Sequence, residues 1–235
     1  MVEFNGVEIN EVAPVNVLDV IVSSPPVNVT TLDIPLRAGS QFVRSKIGTR
    51  MVTVPFLLME DDEEKRRRHI ADIIEWATTE QECRLISTPE PEGYLMAACS
   101  QYPNQSSRDF WEVLTLVFTA SDPRYTACAE NINQAGSYMF VDHKIPPKLT
   151  IRQMIDNTIN NPAWRLNAEY VKISGTVTPG ELVIDFEKES VMLNGQSISE
   201  QVTIDSTFFS LKKGANLIEC ENGAGGVAYW SERWV

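Results

Sequence analysis

The 235-residue sequence predicts a mostly β protein made of two antiparallel β-sandwiches, the first of which carries one helix. Three observations lead to this fold class. Short runs rich in β-branched residues alternate with turn residues from the N-terminus onward. Only one stretch, at about residues 63–79, places apolar residues at helical spacing. Beyond residue 147, strand patterns recur at about 8–12-residue spacing, which is typical of a sandwich.

The first sandwich is expected over residues 1–126. Its turns are marked by paired serines and prolines at residues 23–26 and by Gly48, where the chain must bend. In the strand that follows Gly48, polar and apolar residues alternate, so Val52, Val54 and Phe56 are expected to face the core. The predicted strands are Val15–Val22, Val27–Ile34, Phe42–Ile47, Thr49–Leu58, Cys83–Ile86, Tyr94–Cys99 and Phe110–Ala120.

The predicted helix begins in a block of five acidic residues at 60–64, which suits the positive end of a helix dipole. Ile70, Ile73 and Ala77 then form one apolar stripe. The basic run at residues 65–68 suggests nucleic-acid binding as one interpretation. The favoured interpretation is a solvated face, because the acidic block lies three to four residues away and can pair with it.

A polar segment at residues 127–147, interrupted by Gly136, Pro146 and Pro147, predicts a linker or crossover. Residues 148–235 then predict the second sandwich, and Asn194-Gly195 predicts a tight hairpin because both residue types tolerate positive φ. Its predicted strands are Lys148–Ile151, Glu169–Ile173, Glu181–Asp185, Ser190–Leu193, Gln196–Ile204, Thr207–Leu211, Asn216–Glu221 and Gly226–Trp234.

Charge and hydropathy exclude several classes of protein. The chain has 20 basic and 32 acidic residues and a net charge of −12, which argues against binding duplex DNA through its phosphates. No run approaches the roughly 20 apolar residues of a membrane-spanning helix. The first residues show no basic and apolar signal-peptide pattern. We therefore expect that the chain does not insert into a membrane and that it is made without a signal peptide.

Catalytic and metal-binding patterns are scarce. The sequence contains no phosphate-binding loop, no nucleophile elbow and no zinc-protease motif, and its two histidines are His69 and His143. We expect no catalytic residue, no cofactor and no metal site, and a hydrolase with an unrecognised site is kept as a third hypothesis. The four cysteines form no C-x-x-C pair and are expected to be reduced and mostly buried: Cys83, Cys99, Cys128 and Cys220.

Three aromatic residues of the second half are candidates for stacking on a glycan: Trp164, Tyr229 and Trp230. The alternative, which we favour, is that the tryptophans pack in the sandwich core, as large aromatic residues commonly do.

Several motifs together resemble one known family, the distal tail proteins (Dit) of long-tailed phages that infect Gram-positive hosts. In the first half, the motifs are Leu36-Arg37-Ala38-Gly39-Ser40, Gly48-Thr49-Arg50, the helix with Trp76, Pro91–Ala98 and Asp122-Pro123-Arg124-Tyr125. In the second half, they are Asp185-Phe186, Val191–Gly195, Ser206–Leu211, Gly214-Ala215-Asn216 and the final Trp-containing strand. The resemblance implies that residues 148–235 form a galectin-like β-sandwich.

The resemblance also implies a structural role in the virion, at the tail tip or baseplate. Such proteins form a ring, usually a hexamer, that joins the tail tube protein to the tail-associated lysin or tail fibre protein. DNA passes through the ring without specific binding, and the galectin-like domain can also hold a receptor-binding protein. Because no histidine follows His143, the sugar-binding residue set of true galectins is absent. A carbohydrate-binding adhesin that recognises wall polysaccharide remains the alternative function.

Within residues 41–50, apolar side chains alternate with cationic ones. This segment is the candidate for part of the ring interface, since such a pattern suits contact with an acidic neighbour. The alternative is an ordinary exposed hairpin. The candidate residues are Phe42, Val43, Arg44, Ile47 and Arg50.

Overall fold

A computed structural model describes residues 1–35, 38–103 and 113–235 of the chain. The chain forms two compact units, Met1–Tyr125 and Thr126–Trp234, and both are built mainly of antiparallel strands. The predicted fold class is therefore confirmed. Parts of two sequence predictions, the Leu36-Arg37 motif and the residues Phe110–Glu112 of a strand, lie outside the described residues.

The first unit contains one continuous antiparallel order of strands and a separate hairpin. Its elements are β1 (Val2–Phe4), β2 (Val7–Glu8), α1 (Ile9–Val12), β3 (Val15–Val17), β4 (Ile21–Val22), β5 (Val27–Asp33), β6 (Ser40–Ile47), β7 (Arg50–Leu58), α2 (Glu63–Ala77), β8 (Cys83–Ser87), β9 (Gly93–Gln101) and β10 (Leu114–Ala120). Strands β2, β1, β8, β9, β10 and β7 are neighbours in that order, and β3 and β4 both pair with β7. Among the strands that the structure describes, β5 and β6 pair only with each other.

The core of the first unit confirms the alternation in β7, because Val52, Val54 and Phe56 are all completely buried. Helix α2 covers the sheet through Trp76, whose ring lies 6.3 Å from that of Phe118. These edge-to-face contacts suit the quadrupoles of aromatic rings. Helix α2 is thus fixed to the sheet by its apolar stripe, as its spacing predicts.

The charged run on α2 is mostly a solvated face. Arg67 donates to the Glu63 carboxylate at 2.6 Å, one helical turn away, and Arg68 pairs with Glu64 in the same way. Arg66 differs from its neighbours because it is buried and donates a hydrogen bond to the backbone carbonyl of Leu58 at 3.3 Å. The exposed part of the basic run is therefore paired with the acidic block, as the favoured interpretation expects.

Asp62 caps the N-terminus of α2, and its removal is expected to destabilise the helix. Its carboxylate accepts the backbone N–H groups of Lys65 (3.0 Å) and Glu64 (2.9 Å). These bonds, the one from Lys65 foremost, lower the pKa of Asp62 below its ordinary value of 3.8. The stabilisation is present above that value and is lost as the pH falls through the lowered pKa. We expect Asp62→Ala to lower the melting temperature at pH 7, and Asp62→Asn to retain most of the cap without the acid dependence.

The second unit is a sandwich. Its elements are β11 (Tyr125–Ala127, which contains the division between the units), β12 (Asn131–Gln134), β13 (Tyr138–Val141), β14 (Ile145–Ile155), β15 (Ile159–Asn160), β16 (Ala163–Leu166), β17 (Glu169–Lys172), β18 (Thr176–Val177), β19 (Gly180–Asp185), β20 (Ser190–Leu193), β21 (Gln196–Ser197), a 3₁₀ turn η1 (Ser199–Gln201), β22 (Gly214–Leu217), β23 (Glu219–Glu221) and β24 (Val227–Trp234).

One sheet of this unit has the order β12-β24-β14-β19-β20-β21, and a second has the order β17-β16-β23, while β13 pairs with β22 and β15 with β18. Side chains of both sheets, among them Trp164, Leu149 and Ile184, form one buried apolar cluster. The Asn194-Gly195 hairpin is confirmed between β20 and β21, with φ of 52° and 77° at the two turn residues.

Two regions differ from the sequence-based expectation. The segment 127–147, expected to be a linker, contains β12, β13 and the start of β14. Gly136 has φ of +98° in the turn between two strands, and the prolines at 146 and 147 sit at a register shift in β14, where their missing N–H groups are tolerated. Residues 207–211 are not a strand: Phe209 and Leu211 are buried there, and the Thr207 N–H donates to the carbonyl of Tyr170 in β17 at 2.7 Å, but the described residues form no strand ladder at this segment.

The cysteines also differ from expectation, since they are not mostly buried. Cys128 is exposed, the other three are half-buried, and none of the four forms a disulfide within the described residues. Burial raises the pKa of Cys99 and Cys220, which keeps those thiols in the unreactive protonated form.

Candidate functional site

The most exposed regular element of the first unit is the hairpin of β5 and β6, which we call the arm. Every residue of both strands is exposed. At its base, the N–H of Gly48 donates to the carbonyl of Pro26 at 2.7 Å. Near its tip, the Ser40 hydroxyl donates to the Asp33 carboxylate at 2.5 Å. The arm is therefore held at both ends by its own bonds while its sides face solvent.

The two faces of the arm differ in chemistry. By register and alternation, one face carries the large apolar residues Val27, Val29, Phe42 and Ile47, together with the smaller polar residues Thr31, Ser40 and Ser45 and, near the tip, Asp33. The opposite face carries mainly polar and cationic residues: Asn28, Thr30, Gln41, Arg44 and Lys46, together with Leu32. Val43 has no partner on β5 and forms a bulge. The arm thus presents an apolar face that nothing in the described chain covers.

Arg50 does not belong to this exposed surface. It begins β7, is buried, and holds its guanidinium 4.8 Å from the centre of the Tyr125 ring. Burial raises the pKa of Tyr125, and the hydrogen bond with Arg50 opposes that shift. Of the five interface candidates, four lie on the arm, whereas Arg50 packs within its own unit because its aliphatic stem and planar cation fit over the tyrosine.

Replacing Arg50 should therefore affect stability rather than association. We expect Arg50→Ala to destabilise the first unit by about 2 kcal/mol, because both its buried stem and the cation–π contact are lost. Arg44→Ala, an exposed arginine six residues earlier, should change stability by less than about 0.5 kcal/mol. Thermal unfolding of the two variants at low protein concentration checks this, and equal effects would contradict the placement of Arg50.

The three aromatic candidates for glycan stacking are not available as exposed platforms. Trp164 is 0% exposed and Trp230 is buried, and both belong to the core cluster of the second unit. The Trp164 indole N–H donates to the carbonyl of Gly225 at 2.9 Å. Tyr229 is half-buried, and the guanidinium of Arg152 lies 5.3 Å from its ring centre. The core interpretation of the two tryptophans is confirmed.

The titratable groups singled out in the sequence lie apart from one another. His69 on α2 lies 3.7 Å from Asp72 and 3.9 Å from Glu60. The His143 ring stacks on Trp234 at 5.4 Å. Within residues 1–35, 38–103 and 113–235, no three His, Cys, Asp or Glu side chains converge as a metal site requires. No helix in the same ranges is long and apolar enough to span a membrane.

Comparison with known proteins identifies the family. Residues 142–234 match the family model of a siphovirus-type tail component, C-terminal domain, and residues 5–110 match that of a phage tail protein RIFT-related domain. The two matches do not overlap and follow the two units of the structure. The chain belongs to the siphovirus distal tail protein family. No curated protein sequence matches it significantly.

Two solved structures of phage proteins share the fold of this distal tail protein. The crystal structure of phage SPP1 Dit, described as a paradigm of the hub adsorption apparatus in phages that infect Gram-positive bacteria, aligns with a TM-score of 0.84 at 16% identity. The alignment covers 100% of this chain and 98% of that one. A chain of the phage p2 baseplate, in its activated conformation with strontium, aligns with a TM-score of 0.54 at 7% identity over 94% of this chain and 90% of that one.

Sequence reasoning missed half of the arm of this distal tail protein. The interface candidates all lay at residues 42–50, but β5 contributes Val27 and Val29 to the same apolar face. The available signal was that β5 and β6 are two adjacent β-branched runs joined by a turn with Gly39. Pairing the two runs as one hairpin would have brought their apolar residues together.

Proposed function

We propose that this distal tail protein is the hub subunit of a phage tail tip and assembles as a closed ring of six copies. The observation that carries the proposal is the uncovered apolar face of the arm. A two-stranded hairpin is marginally stable alone in water and gains stability when its apolar face is covered. In a ring, a second copy of the chain would cover this apolar face.

The shape of the arm supports a cyclic arrangement of copies. An arm that docks on a different surface of the next copy makes a heterologous contact, and such contacts either close into a ring or continue as a filament. The cationic face, with Arg44 and Lys46, suits an acidic neighbour, and the chain itself has a net charge of −12. Contact between identical copies is therefore compatible with the charges on both sides.

The proposed partners lie on the two sides of the ring. The tail tube protein would occupy one side, and the tail-associated lysin or tail fibre protein the other. A receptor-binding protein would be a further partner, bound by the second unit. The fold shared with SPP1 Dit and with the p2 baseplate chain supports this arrangement. The negative net charge supports passage of DNA through the ring without adhesion. The role is structural and needs no catalysis.

The test is the solution mass by light scattering at high protein concentration, with negative-stain images of the same sample. Six chains of 26.4 kDa give about 158 kDa and rings with a central opening. If a ring needs a template, adding the cognate tube protein or lysin should produce it. A mass of 26.4 kDa at every concentration, unchanged by either partner, would overturn the proposal.

A further inference from the structure

Two aromatic side chains of the second unit are exposed and belong neither to its core nor to the arm. On β13, Tyr138 is 62% exposed and Phe140 is 66% exposed, whereas Met139 and Val141 between and beyond them are buried. Alternate residues of a strand point to the same face and lie about 7 Å apart. The strand therefore carries two outward-facing rings in a row, which is a larger aromatic platform than scattered surface residues provide.

A pocket of about 270 Å³ opens beside Tyr138. It lies against the pair of β13 and β22 and the turn that follows β16. Leu166 and Leu217 give it apolar walls, and Asn167 and Glu219 give it polar ones. No lysine or arginine is among the described residues that line it. A small recess whose accessible lining is mainly polar suits a ligand rich in hydroxyl groups, because polar groups that a ligand covers need hydrogen-bond partners.

Some polar side chains at this pocket are held by hydrogen bonds within the described chain, and others have no such bond. The Asn216 amide is fixed, because it donates to the carbonyls of Lys212 (2.7 Å) and Gly214 (3.0 Å) and accepts from the N–H of Lys212 (2.9 Å). By contrast, the side chains of Tyr138, Asn167 and Glu219 make no hydrogen bond or ion pair in the part of the chain that the structure describes. The pocket therefore combines a shaped wall with hydrogen-bonding capacity that is available to a ligand.

We propose that this pocket binds one unit of a neutral saccharide, with the Tyr138 ring stacked on the apolar face of the sugar. A hydroxyl both donates and accepts, so it can pair with the Asn167 amide and donate to the Glu219 carboxylate. Phe140 extends the platform to the next sugar unit. Anionic glycans are disfavoured, because Glu219 repels them, no described lysine or arginine lines the pocket, and Arg165, opposite Glu219 on the neighbouring strand, pairs with Glu221 at 3.4 Å.

This site is separate from the aromatic residues that the sequence suggested for glycan binding. Those residues lie in the core cluster or under Arg152, whereas Tyr138 and Phe140 face outward. The inference goes beyond the proposed hub function and needs no ring. If the proposed ring forms, repeated weak sites would act together on a polymeric wall glycan.

The experiment is saturation-transfer NMR on the full chain with three neutral probes: the methyl glycosides of glucose, galactose and N-acetylglucosamine. We expect saturation of at least one probe, with a dissociation constant of about 1 mM. Tyr138→Ala should weaken it at least about tenfold. Asn167→Gly provides a second variant, because glycine keeps the left-handed backbone (φ +58°) and removes only the amide.

Ile132→Ala is the matched control, since Ile132 is also 62% exposed, lies in the same unit and does not line the pocket. The Ile132→Ala variant should bind the neutral glycosides as tightly as the native chain does. Glucose 6-phosphate should give no saturation, because its charge opposes Glu219. The proposal is overturned if none of the neutral glycosides is saturated, if binding persists unchanged in both pocket variants, or if glucose 6-phosphate binds as well as glucose does. Failure would leave the ring proposal standing, because the mass measurement does not involve this pocket.

Discussion

Introducing charge on the apolar face of the arm is expected to abolish assembly while leaving each chain folded. In Phe42→Asp, a carboxylate replaces an aromatic side chain that is 61% exposed in the single chain and would be covered in the ring. Burying an unpaired charge in an interface is costly, and central aromatic residues contribute about 2 kcal/mol or more to binding. We expect the association constant per contact to fall at least about 30-fold. Light scattering over a concentration series measures this change.

Leu32→Asp is the matched control for this prediction. Leu32 lies on the same arm and is 57% exposed, but it shares the face with Arg44 and Lys46. A carboxylate there lies among cations and away from the apolar face, so it is expected to weaken assembly much less than Phe42→Asp does. Circular dichroism should show that both variants are folded, because neither side chain packs in the core. Equal loss of assembly in the two variants would contradict the assignment of the apolar face.

Removing the buried indole of the second unit is expected to have the largest effect on stability. Trp164 is among the largest fully buried side chains, and its N–H holds the carbonyl of Gly225. The same loop is gripped by the Gln153 amide, which donates to the carbonyl of Gly223 (2.8 Å) and accepts from the N–H of Gly225 (2.9 Å). Trp164→Ala therefore leaves a cavity and an unpaired carbonyl, and we expect a loss of about 3–5 kcal/mol.

Differential scanning calorimetry of the full chain measures this loss. The transition of the second unit should fall by more than about 10 °C, since 1 kcal/mol corresponds to about 4–8 °C in a unit of this size. Trp164→Phe, which retains an aromatic ring and removes the N–H, should lose less. Tyr138→Ala is the surface control and should shift the transition little. An unchanged transition in Trp164→Ala would refute the role of Trp164 in stabilising the second unit. If this variant alone lost glycan binding, the loss would indicate unfolding and not a binding role for Trp164.

The acidic block before α2 and the apolar residues at period 3.6 act within a few residues of one another, so the helix could be predicted from the sequence. The same holds for the Asn194-Gly195 hairpin and for the core face of β7. The polar segment 127–147 was misinterpreted because glycine and proline mark both linkers and strand boundaries. Only pairing partners far along the chain distinguish the two, and β12 pairs with β24 nearly one hundred residues later.

For the candidate sites, too, local features could be predicted from the sequence and long-range contacts could not. The sequence by itself determined the β-rich class, the position of the long helix, the negative charge and the apolar–cationic alternation of residues 42–47, since each depends on composition or local period. Only the tertiary structure decided that Arg50 lies over Tyr125, that Trp164 is inside, and that Tyr138 and Phe140 are outside. Whether a side chain is exposed depends on which distant strands pack over it. Aromatic residues of the same chain can therefore be either buried or exposed.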